Sequence, residues 1–122
     1  MLVKDCTKGL FMNASDDTTL CELFHPSKHP NAALLPYSLA YAKIKPGKSS
    51  RPHRIHTSSE LYFILKGEAR MYVDEETMLV TAGQAILVPP GALQYLENQG
   101  SADLVFLCIV SPPWKSENET LE

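Results

Sequence analysis

From Tyr37 onward, apolar and polar positions alternate in short runs, the two-residue period of strands with one buried face. Ser38 to Ile44 sets Ala40, Ala42 and Ile44 against Leu39, Tyr41 and Lys43. Leu61 to Leu65 is aromatic and branched and is closed by Lys66-Gly67. Ala69 to Val73 alternates again, and Asp74-Glu75-Glu76 turns the chain into Met78 to Thr81. Ala82-Gly83 leads to Ala85 to Val88, which Pro89-Pro90-Gly91 breaks before Leu93 to Leu96. Asn98-Gln99-Gly100 makes the last turn, into Leu104 to Val110. Strands of about five residues at near-regular spacing, with no helical period between them, predict an all-β sandwich or barrel.

The same pattern divides the chain into an N-terminal arm over residues 1–36, a β-barrel over 37–110 and a tail over 111–122. In the arm, Leu20-Cys21-Glu22-Leu23-Phe24 reads as a short helical turn or an edge strand. His25 to Asn31, with two prolines, reads as a loop whose His25 and His29 are solvated. The tail is expected to lie over the surface, anchored by Trp114 and frayed at its end. Leu61 to Leu65 and Leu104 to Val110 are apolar on both faces, whereas a small barrel has one interior. Something must cover the outer face, either the arm or a second subunit, and a homodimer is the expectation.

Composition narrows the function classes. A chain of 122 residues is the size of one domain, and 44% hydrophobic with 20% charged residues is globular. A formal charge of -3 favours neither nucleic acid nor a membrane as partner. No signal peptide or spanning segment is visible. Cys6, Cys21 and Cys108 are odd in number and lack paired spacing, which points to a reducing, cytoplasmic setting; Cys108 reads as a buried small hydrophobe.

Candidate chemistry is concentrated in two segments. The first carries Gly47, His53, Arg54, Ile55, His56, Glu60 and Gly67; the second carries Gly83, Pro89, Pro90, Gly91, Gln94 and Asn98. Two imidazoles and a carboxylate within eight residues can converge on one divalent ion, with Thr57-Ser58-Ser59 as the turn that brings Glu60 beside the histidines. The structural alternatives are an ion pair of Glu60 with Arg51 or Arg54, and surface roles for the histidines.

These segments resemble the two motifs of the cupin superfamily, most of all its small single-domain bacterial and archaeal members. Gly83, Pro89, Gly91 and Asn98 match the second motif at every spacing, and Gly47, Glu60 and Gly67 match the first. The resemblance implies a double-stranded β-helix, the cupin jelly-roll barrel, with an irregular N-terminal arm and a divalent metal at its mouth. It departs from the family in two places. The motif-one histidines usually stand one residue apart and so share a strand face; here His53 and His56 are three apart. Aligning His56 puts Arg54 in the other histidine's place, and aligning His53 puts Ile55 in the second place. Only a bulge or the start of the turn lets both bind one ion. The second departure is Gln94, where the family has its motif-two histidine; an amide oxygen ligates more weakly, and Gln94 can instead hydrogen-bond across the barrel.

The ligand set implied is His53, His56, Glu60 and Gln94, suited to manganese, iron or zinc. The function implied is a metalloenzyme, an oxidoreductase, lyase or isomerase acting on a small polar or carbonyl-containing metabolite in dioxygenase-, decarboxylase- or isomerase-like chemistry. Glu60, Tyr62 and Tyr95 are its candidate catalytic groups, with Tyr72 a further pocket candidate. The alternative is a non-catalytic barrel that binds a small ligand, a sugar or an acid, around a degenerate metal site.

Overall fold

The alternating segments pair into two antiparallel sheets in the computed structural model, which describes residues 1–122. The strands are β1 (Met12–Asn13), β2 (Thr19–Phe24), β3 (Ser38–Ile44), β4 (His53–Ile55), β5 (Ser59–Lys66), β6 (Glu68–Val73), β7 (Glu76–Thr81), β8 (Ala85–Val88), β9 (Gln94–Asn98), β10 (Leu104–Ser111) and β11 (Glu119–Leu121). One sheet runs β1-β2-β3-β10-β5-β8 and the other β11-β4-β9-β6-β7. Besides the strands there are only two single-turn 3-10 helices, at Pro30–Ala32 and Ser116–Asn118. No helix is long and apolar enough to cross a membrane.

Inward positions on facing strands make the core. Ala42, Ile44, Tyr62, Ile64, Met71, Val80, Val88, Leu96, Leu104 and Phe106 belong to one buried cluster, as the period of two requires. Turn residues close the corners. Gly67, between β5 and β6, has φ +91 and lies so close to the next strand that a Cβ would sit 3.2 Å from the Asp103 carbonyl oxygen. Asn98 locks the neighbouring turn at the same end: its side-chain amide donates to the carbonyls of Ile44 (2.8 Å) and Ala102 (2.9 Å), and its oxygen accepts from the Gly100 amide.

The two flanking regions add pairing that the sequence pattern leaves open. Leu20 to Phe24 is a strand, antiparallel to β3, not a helical turn. The tail ends in β11, paired with β4, so its last residues are held rather than loose. His25 is buried, not solvated: its Nε2 lies 2.7 Å from the Trp114 carbonyl oxygen and its Nδ1 2.8 Å from Ser27 Oγ. Arm and tail are thereby fastened to each other across one end of the barrel.

Candidate functional site

At that end, β4, β5 and β10 present inward side chains to a cavity of about 330 Å³. His53 and Glu60 stand on its wall, 2% and 6% exposed. His53 pairs with Gln94 across β4 and β9, and Glu60 faces Val110 across β5 and β10, so rigid ladders set both side chains. The His53 Nδ1–H donates to the Arg51 carbonyl, 2.8 Å away, which turns Nε2 to the cavity. Nε2 lies 3.8 Å from Glu60 Oε1 and 3.8 Å from Asp16 Oδ2.

Asp16 belongs to the N-terminal arm. A turn brings it over the mouth: Ala14 and Thr18 exchange a backbone bond of 2.8 Å, and the Asp16 carbonyl accepts from the Arg51 amide at 2.6 Å. Its Oδ1 accepts from the Thr18 hydroxyl at 2.7 Å, which leaves Oδ2 towards His53. Beside it, the Ser15 hydroxyl donates to Glu119 Oε1 and the Trp114 indole N–H donates to Glu119 Oε2 at 2.9 Å. Arm and tail thus form the outer wall together.

The imidazole's surroundings decide its charge. Burial pulls the His53 pKa down, but the Glu60 and Asp16 carboxylates and the Arg51 carbonyl more than reverse this, raising it to about 9. At neutral pH it is an imidazolium between two carboxylates. Burial, reinforced by the negative charge of Glu60, pushes the Tyr62 phenol and the Cys108 thiol well up, so both are neutral donors. The Tyr62 hydroxyl lies against Gln94 Oε1 and is 3.2 Å from Glu60 Oε1; with one proton for two acceptors, it donates to one at a time.

The sequence-derived candidates therefore separate. His53, Glu60 and Tyr62 meet at the cavity, whereas Gln94 is buried behind Tyr62 and is not on the wall. His56 is not brought to them. β4 ends at Ile55, no bulge intervenes, and the His56 ring is exposed with Nε2 2.8 Å from Thr120 Oγ1. The inward position two residues after His53 is Ile55, which lines the cavity. Tyr95 and Tyr72 face away from the barrel interior and stack on each other, ring centroids 4.3 Å apart. Arg54 also points outward, bonded to Glu122 and to the Gly91 carbonyl, so it is no ion-pair partner for Glu60. Asp16 and Glu119 are wall residues that no spacing singles out, because the fold alone carries them to the mouth.

The four-residue set implied for a divalent ion is not assembled, because His56 lies outside against Thr120 and Gln94 lies against the Tyr62 hydroxyl. No three His, Cys, Asp or Glu side chains are grouped to hold one.

Comparison with known proteins agrees with the architecture. The family model described as "Cupin domain" matches residues 40–110. An uncharacterized protein of Methanocaldococcus jannaschii is 35% identical over 108 residues, which is 88% of this chain and 84% of that one. An oxalate-binding protein of Thermotoga maritima is 31% identical over 71 residues, 58% of this chain and 59% of its own length. Among solved structures, a predicted oxalate decarboxylase of Thermotoga maritima superposes with a TM-score of 0.78 at 22% identity, covering 90% of this chain and 98% of that one.

Proposed function

Because the chain belongs to the Cupin domain family, we propose that its barrel binds a small molecule directly, with side chains in place of a metal. The observation that carries this is the His53–Glu60–Asp16 cluster on the wall of a cavity about 330 Å³ in volume. The three free thiols fit a reducing compartment such as the cytoplasm. The metalloenzyme reading, with manganese, iron or zinc and dioxygenase-, decarboxylase- or isomerase-like chemistry at Glu60 and Tyr62, has to dispense with His56 and Gln94 as ligands.

One experiment separates the two. A thermal-shift panel of hexoses, hydroxy acids and small amines, run before and after treatment with a chelator, is expected to give a stabilising solute whose affinity survives chelation. A solute at 100 times its Kd raises stability by about 2.7 kcal/mol. The His53→Ala and Glu60→Gln variants should lose that shift. Binding that vanishes on chelation, together with one equivalent of metal in the purified protein, would restore the metalloenzyme reading.

We also propose that the protein is a homodimer through the outer face of the larger sheet. Leu39, Ile109, Leu61 and Leu87 form one row across four strands, beside Leu107 and Phe63 in the next. Leu87 is 67% exposed and Phe63 36%. A two-fold axis lets the same apolar patch cover itself. Light scattering should give twice the chain mass, and Leu87→Lys with Phe63→Lys should halve it. Wild-type protein at the mass of one chain at micromolar concentration would sink the proposal.

A further inference from the structure

Resting on the reading that the cavity holds a small molecule, we propose that its ligand is an organic amine: an ammonium head set against Asp16 and Glu60, on an apolar body. The charged side chains on the wall are Asp16, Glu22, Glu60 and Glu119 against Lys28 and His53. Lys28 Nζ is 2.8 Å from Glu22 Oε1, so that pair cancels. Glu119 is occupied by Ser15 and Trp114. What remains is two carboxylates around one imidazole, an excess of negative charge whether or not the imidazole is protonated.

An anion entering here would meet two carboxylates with no free guanidinium or ammonium to receive it, in a setting that screens charge poorly. Arg54, the nearest candidate in sequence, is held on the outside by Glu122 and the Gly91 carbonyl. The polar end is also built but incompletely paired. His53 and Glu60 are more than nine-tenths buried, and Nε2 stops 3.8 Å short of each carboxylate, beyond hydrogen-bond distance. A ligand with several N–H donors on one atom can reach both carboxylates at once. Leu20, Ile55, Phe106, Val110 and Trp114, also on the wall, offer contact to an apolar body. The aromatic members can add attraction for the cation.

Calorimetric titration of the full chain at pH 7 with benzylamine, benzyl alcohol and benzoate tests the charge of the head group at constant shape. Benzylamine is expected to bind about tenfold or more tightly than the other two. Glu60→Gln and, on the arm, Asp16→Asn should each weaken benzylamine by about tenfold while leaving benzyl alcohol nearly unchanged. A variant that merely unfolded would lose both compounds, and circular dichroism identifies it. Benzoate binding as tightly as benzylamine would overturn the inference and leave the ligand-binding barrel standing. So would a hexose or hydroxy acid that binds the chelated protein where benzylamine does not. If no solute of any charge binds, both readings fall.

Discussion

Raising the pH from 6.5 to 9 should destabilise the folded protein by about 3 kcal/mol, because one proton is held more tightly in the fold than in the unfolded chain. His53 titrates near 6.5 when unfolded and near 9 when folded. Below 6.5 both states are protonated and the full stabilisation is present. Between the two values only the folded state keeps the proton, so stability falls as pH rises; above 9 neither state holds it and the contribution is gone. The charged groups acting on the imidazole are Asp16 and Glu60; Tyr62 and Cys108, on the same cavity wall, stay neutral through this window because their pKa values are pushed up. Urea unfolding at pH 6 and pH 9.5 measures the difference. In His53→Gln, which keeps a polar group but cannot titrate, the slope should disappear. A flat wild-type curve would mean that burial, which opposes the charged form, outweighs the two carboxylates.

That cluster also marks the limit of what the sequence discloses. The barrel is legible because its evidence is local: strict alternation in β3 and β6, and glycines where corners demand positive φ, as at Gly67. Glu60 is legible for the same reason, since an inward position on β5 follows from the period of two. Gln94 shares that inward register, but a residue's face does not say what fills the space in front of it. Here the Tyr62 hydroxyl does. His53 and His56 illustrate the converse. Three residues cannot return to one face of a straight strand, and β4 stops at Ile55 without the bulge that would have rescued the pairing.

Asp16 was illegible for a different reason. Its position depends on a turn of the arm, on the bond from the Arg51 amide, and on β2 joining β3, all of them long-range consequences of the fold. A short run such as Asp16-Asp17-Thr18 announces a polar turn and nothing about where the turn will rest. The site is therefore composite. One carboxylate and the imidazole come from the barrel, the other carboxylate from a segment outside the repeating pattern.

Replacing Phe106 by alanine should cost about 3 kcal/mol, towards the low end of the range for a buried aromatic, and should change binding as well as stability. Phe106 is 1% exposed, sits in the core cluster with its ring centroid 5.7 Å from that of Tyr62, and lines the cavity. Its removal forfeits the transfer energy of the ring. The space it leaves, however, opens onto an existing cavity with a polar end, so water can enter and spare part of the cost of an empty void. Leu104→Ala provides the contrast. Leu104 is fully buried and does not line the cavity, so its void stays dry and carries the full cavity penalty for the atoms removed. Chemical denaturation of both variants measures the losses, and titration with a bulkier amine such as 1-naphthylmethylamine reads the enlarged space. Phe106→Ala should bind that amine more tightly than wild type does, whereas Leu104→Ala should not. A loss below about 1 kcal/mol at Phe106 would contradict its place as a wall shared by core and cavity.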